Sequence, residues 1–177
     1  MRKIFSLILV ALFFAAGKAE AQGFHVIPKM GLNLSSLSHV DGSSVAGLNV
    51  GVSFELLFTG RFGIEPGVLF SMQGTKIDSE RVHLDYINVP VYAKYYIIKG
   101  FNVFAGPQVG FNVRAKSGGE DVKSLIKTAD FGLGLGAGYQ FKWGLMVSAN
   151  YNFGFVGVRK STSVKNGVFQ INAGWRF

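Results

Sequence analysis

At 177 residues the chain suits one domain, and the absence of cysteine excludes both a disulfide framework and a thiolate metal site. Apolar residues make up 49%, with 24 glycines and 17 phenylalanines, while only 16% are charged, a balance foreign to disordered chains and to ordinary soluble domains. The formal charge of +8 is scattered without a basic helix or run, which speaks against nucleic acid as a partner and fits attraction to anionic lipid headgroups.

Residues 1 to 21 read as a signal peptide. Arg2 and Lys3 form a positive start, residues 4 to 16 an apolar core, and Ala19-Glu20-Ala21 an A-x-A cleavage site before Gln22. The core has thirteen residues. A helix needs about 20 to cross roughly 30 Å of hydrocarbon, so a retained membrane anchor fits less well. Cleavage removes Arg2, Lys3 and Lys18 from 18 cations and Glu20 from 10 anions, leaving 15 against 9, a charge of +6 on residues 22 to 177.

No later apolar run is long enough for a spanning helix, so a membrane location demands a closed barrel and a period of two. In chain order, Met30, Leu32 and Leu34 alternate with Lys29, Gly31 and Asn33. Leu48, Val50, Val52, Phe54 and Leu56 oppose Asn49, Gly51, Ser53 and Glu55. Over residues 62 to 73, Ile64, Val68, Phe70 and Met72 face away from Glu65, Gly67, Ser71 and Gln73. Over 84 to 97, Ile87, Val89, Val91, Ala93 and Tyr95 face away from Asn88, Tyr92 and Lys94. The fifth segment sets Phe101, Val103, Ala105, Val109, Phe111 and Val113 against Asn102, Gly106, Gln108, Gly110, Asn112 and Arg114, with Phe104 the one bulky inward exception. Phe131, Leu133, Leu135, Ala137 and Tyr139 then oppose Asp130, Gly132, Gly134, Gly136, Gly138 and Gln140. Leu145, Val147, Ala149, Tyr151 and Phe153 alternate with Met146, Ser148, Asn150 and Asn152. Finally Phe169, Ile171, Ala173, Trp175 and Phe177 oppose Gln170, Asn172, Gly174 and Arg176.

Thr59-Gly60-Arg61, Ile98-Lys99-Gly100 and Lys142-Trp143-Gly144 read as tight turns, and residues 36 to 44, 74 to 81, 115 to 128 and 157 to 166 as long polar loops. Short periplasmic turns and long outer loops, with an even strand count, describe an all-β, eight-stranded antiparallel up-and-down transmembrane β-barrel in the outer membrane. A soluble sandwich or lipocalin would have to bury the small polar face and expose rows of Phe, Leu and Val, far more apolar surface than a monomer tolerates in water.

Several stretches resemble the PorT-like outer-membrane β-barrel family: Lys29-Met30-Gly31-Leu32-Asn33, Phe62-Gly63-Ile64-Glu65-Pro66 with Gln73-Gly74, Tyr86-Ile87-Asn88-Val89-Pro90 through Lys94-Tyr95, Gly106-Pro107-Gln108-Val109-Gly110, Tyr151-Asn152 and Gly174-Trp175-Arg176-Phe177. The resemblance spans the mature chain. It implies an outer-membrane barrel and, by kinship with the family's namesake, a link to protein secretion, with no functional residue set to transfer. Trp175 and Phe177 look like the signal read by the barrel assembly machinery, and equally suit an aromatic girdle.

Enzymatic and cofactor readings fare poorly. The run from Gly132 to Gly138 fails G-x-G-x-x-G, since neither Ala137 nor Tyr139 is glycine, and its glycines share one strand face instead. Ser38-His39-Val40-Asp41 and His83-Leu84-Asp85 join imidazole to carboxylate, but neighbours in a loop rarely hold a base between nucleophile and orienter, and no fixed-spacing metal set is present. The sequon Asn33-Leu34-Ser35 lies within a strand and carries no weight. The chain is therefore read as non-enzymatic and free of cofactors. A barrel this narrow is filled by side chains, which favours a structural or interaction protein with an unidentified loop partner over a small-solute channel. The expected plug is ionic: Lys29, Glu55, Glu65, Lys94 and Arg176 near the short-turn end, with Arg114 and Asp130 paired near the other. The expected mature chain starts at Gln22; intact-mass analysis finding residues 1 to 21 retained refutes the cleavage assignment.

Overall fold

The computed structural model describes residues 23–37, 42–77, 80–117, 120–122, 128–155 and 166–177. The expected signal segment, Ser38-His39-Val40-Asp41 and most of the loop expected over 157 to 166 lie outside the described residues.

Nine strands follow in order: β1 (Gly23–Leu37), β2 (Gly42–Leu57), β3 (Phe62–Ile77), β4 (Glu80–Tyr96), β5 (Phe101–Ser117), β6 (Glu120–Asp121), β7 (Ala129–Gln140), β8 (Leu145–Gly154) and β9 (Asn166–Trp175). Every strand pairing is antiparallel, and β9 returns to β1 from Lys29↔Gly174 to Leu37↔Asn166, so eight strands close a ring. β6 stands outside the ring and pairs only with Lys116 and Ser117 of β5. This is the up-and-down barrel that the period-two pattern demands. Closure gives each strand a partner on both sides, the condition for lying in hydrocarbon, where a bare backbone N–H or C=O costs several kcal/mol.

The two faces are inverted relative to a soluble barrel. Leu32, Leu135 and Ile171 lie on the outside with 58%, 56% and 54% of their surface exposed, while Asn33, Asn49, Asn150 and Gln170 are buried inside. Rings edge the lipid face toward the short turns: Tyr139, Phe141, Trp143 and Trp175 form a contact chain with centroids 4.8, 5.6 and 5.5 Å apart. Aromatic girdles of this kind mark the membrane interface.

The three tight turns form as expected. The Thr59 hydroxyl accepts from the Phe62 N–H at 3.0 Å, and Gly100 and Gly144 adopt φ of 89° and 109°, which side-chain-bearing residues rarely do. The opposite end departs from expectation. Residues 74 to 81 are not a long loop: β3 continues to Ile77 and β4 restarts at Glu80, with the register running on through Gly74↔His83, Thr75↔Val82 and Lys76↔Arg81. Polarity there marks the point where the hairpin leaves the lipid, not where it stops pairing. β5 likewise extends past residue 115 to Ser117.

Leu135→Arg should destabilise the barrel in lipid by about 2 to 4 kcal/mol, as a cation on the lipid face does near the midplane. Equal urea-unfolding free energies for variant and wild type in vesicles would refute the facing.

Candidate functional site

The lumen is the chain's chemical centre. Strands β1, β2, β3 and β4 each point a charged residue into its short-turn end, Arg176 joins them from just beyond the end of β9, and the structure brings all five together. Glu65 is paired by both Lys29 and Lys94. Lys94 also donates to Glu55 Oε1 at 2.9 Å, and Arg176 Nε stands 3.0 Å from Glu55 Oε2. Both carboxylates and Lys94 are almost wholly buried, so each carboxylate answers two cations in a region little reached by water. Charges in such surroundings persist only when paired and hydrogen-bonded.

Tyr96 completes the cluster, its hydroxyl donating to Glu55 Oε1 at 2.6 Å. It was not among the expected site residues, although it lies two positions beyond Lys94 and so shares its inward face.

Above the charges runs an amide network. Asn33 Oδ1 accepts from Asn49 at 2.7 Å and from Gln170 at 2.8 Å, while Asn33 Nδ2 donates to Ser71 Oγ at 2.9 Å. Gln170 Oε1 in turn accepts from Asn150 at 3.0 Å and Asn152 at 2.8 Å. The Tyr92 hydroxyl reaches across to within 3.0 Å of Asn152 Oδ1, tying β4 to β8. Tyr92 also packs on Phe104, ring centroids 5.2 Å apart.

These two rings explain the glycine face of β7. A Cβ on Gly134 would stand 2.6 Å from the Tyr92 ring and hydroxyl, and one on Gly136 would stand 2.6 Å from Phe104 Cζ. The glycines make room for the rings. Among the described residues the lumen holds a cavity of about 20 Å³ beside Gln73, Tyr86, Asn88 and Asp130 and another of about 20 Å³ beside Lys29, Glu65, Tyr92 and Lys94. Each has space for about one water molecule.

At the loop end the expected Arg114–Asp130 pair does not form as drawn. Opposite the consecutive Asp85 and Tyr86 the register steps from Arg114 to Asn112, making Val113 the extra residue of a β-bulge. The bulge shifts the phase of β5 by one, so Ala115 continues the buried row begun by Asn112, and Arg114 leaves the lumen with 60% of its side chain exposed. Its nearest described carboxylate is Asp85, at 3.9 Å. Asp130 lines the upper cavity near Tyr86. An apolar group of Leu84, Tyr86 and Ala115, with Val122 packed against it, lies toward that end.

Trp175 and Phe177 sit at the short-turn end. Trp175 packs on Trp143, and the Phe177 N–H donates to Val26 O at 3.0 Å.

An apolar outer wall around a filled polar interior defines a small transmembrane β-barrel protein. Residues 17–158 match the family described as outer membrane protein beta-barrel domain, and the chain belongs to that family, an outer-membrane protein embedded in the lipid bilayer. Its fold is similar to that of Neisserial surface protein A, at 19% identity and a TM-score of 0.61 over 87% of this chain and 97% of that one. It is also similar to Ail, the attachment invasion locus protein of Yersinia pestis, solved with the heparin analogue sucrose octasulfate, at 20% identity and a TM-score of 0.52 over 87% and 99% of the two chains. No curated protein matches the chain.

Removing one charge strands its partners. Glu65→Gln should lower stability by about 3 to 5 kcal/mol, and Lys94→Met in the same chain should restore part of it. A double-mutant cycle in lipid with no coupling would contradict the paired lumen. Gly134→Val should cost about 1 to 3 kcal/mol by overpacking against Tyr92, with Tyr92→Ala relieving the clash; additive losses in unfolding titrations would show that the two do not meet.

Proposed function

We propose that the protein is a non-enzymatic structural or interaction barrel, closed to solutes, that meets its partners through the connections at its loop end. The observation that carries this reading is the filled lumen: the charge cluster, the Tyr92 and Phe104 rings and the amide network crowd the interior, and the cavities beside them among the described residues are water-sized, about 20 Å³ each. Glu55 and Glu65 are engaged by cations and by Tyr96, which leaves neither poised as a general base. A narrow solute channel, the second reading, would need the space beside the inward glycines. Tyr92 and Phe104 occupy that space at Gly134 and Gly136.

The finer kinship is PorT-like, carried by the ordered motifs from Lys29-Met30-Gly31-Leu32-Asn33 to Gly174-Trp175-Arg176-Phe177, and with it comes an accessory role in protein secretion. Trp175 and Phe177, exposed at the short-turn end, suit recognition by the barrel assembly machinery through strand addition.

Purified protein in a planar bilayer should show no steady conductance under conditions in which an open porin conducts. A stable porin-sized current would overturn the closed-lumen reading, and affinity capture with the intact loops, compared with loop-trimmed protein, tests the interaction role.

A further inference from the structure

The bulge that takes Arg114 out of the lumen delivers it to a particular place. On β4 and β5 the register pairs His83 with Lys116 and Asp85 with Arg114, on either side of the buried Leu84–Ala115 pair. His83 and Arg114 are exposed and Lys116 is half-buried. By backbone register the Lys76↔Arg81 pair of β3 and β4 lies next along the same hairpin. On β6, Asp121 stands opposite Lys116 by backbone register. At the loop end of β1, β2, β7, β8 and β9 the outward positions include Leu34, Ser44, Ala46, Phe131, Phe153, Phe155 and Phe169, none of them charged. Among the described residues the basic strip is therefore one-sided.

Its height matters as much as its sign. Outward apolar residues on β5 run from Phe101 to Val113. Thirteen residues of strand tilted by about 40° rise roughly 30 Å, the thickness of the hydrocarbon layer. Arg114 and Lys116 come immediately after, at the depth of the lipid headgroups and facing lipid instead of the lumen. Asp85 is buried and stands near one edge of the Arg114 guanidinium, close enough to orient it but too far, at 3.9 Å, to occupy its donors. A guanidinium fork beside an ammonium is the arrangement that recognises phosphate.

We propose that Arg114 and Lys116, with His83, bind a phosphate group on the headgroup of an outer-leaflet lipid, fixing one lipid against the β4–β5 wall. The proposal rests on the loop end facing the cell exterior and is independent of whether the lumen conducts.

The test uses the full mature chain folded in neutral detergent, with the bisphosphorylated glycolipid lipid A as probe and retained lipid counted by native mass spectrometry. Wild type should retain lipid A in preference to its dephosphorylated form. Arg114→Ala and Lys116→Ala should each weaken retention about fivefold, the effect of one cation near a charged lipid surface. Arg61→Ala, at a short turn, should leave it unchanged, and Arg114→Lys should keep most of it. Equal retention of both lipid forms by wild type would overturn the proposal, with no variant needed. So would unchanged retention in a folded Arg114→Ala/Lys116→Ala protein, or release of lipid A by low-millimolar inorganic phosphate, which would make this a site for the free ion.

Discussion

Every other feature of this molecule depends on the pairing of backbone groups away from water. In hydrocarbon no solvent donor or acceptor can replace a missing strand neighbour, so a sheet either closes or stays out of the membrane. The β1–β9 pairing supplies the closure. Closing on eight strands leaves an interior with room for little beyond side chains, and because the wall outside must be apolar, the polar residues have only the inside to occupy. A lumen of asparagine, glutamine and serine amid glycines is the result, and the glycines are as much a packing element as the rings they accommodate.

Ionic groups in that interior obey stricter rules. A buried carboxylate without a partner is costly, and two on adjacent strands repel, yet Glu55 and Glu65 sit on β2 and β3. They are held there by Lys29, Lys94 and Arg176, drawn from strands that the ring brings around them. Such a cluster adds less net stability than its number of contacts suggests, since desolvation offsets much of the attraction. Its clearer effect is on register. Sliding any one of these strands by a single residue would turn its charge toward lipid, so the cluster penalises the misregistered barrels that glycine-rich strands otherwise permit.

The two ends of the barrel are built on different principles. The short-turn end holds a charge cluster within and is edged by aromatics without, whereas the loop end carries an apolar group of Leu84, Tyr86 and Ala115 inside and basic side chains on part of the outer wall. One bulged residue accounts for much of the difference, because it reverses which side of β5 faces lipid above Val113. Barrels of this size lend themselves to many roles, and what distinguishes them lies in such local departures and in the connections beyond them.

The period of two by itself determined the number of strands in the ring, the facing of almost every residue in the segments it marked and the gathering of Lys29, Glu55, Glu65, Lys94 and Arg176 at one end, because alternation fixes a side and the tight turns fix where counting starts. It carried no information about where alternation slips. Val113 and Arg114 read as an unbroken continuation of β5, and only pairing against Asp85 and Tyr86 reveals the extra residue that sends Arg114 outward. Nor could it tell a polar strand beyond the lipid from a loop, as at residues 74 to 81, since both are hydrophilic and only the partner strand separates them. The contacts across the lumen, Tyr92 with Asn152 and Tyr96 with Glu55, were decided by tertiary structure alone. Strand tilt and stagger set which inward residues from different parts of the ring meet at the same height, and these are properties of the closed ring rather than of any one strand.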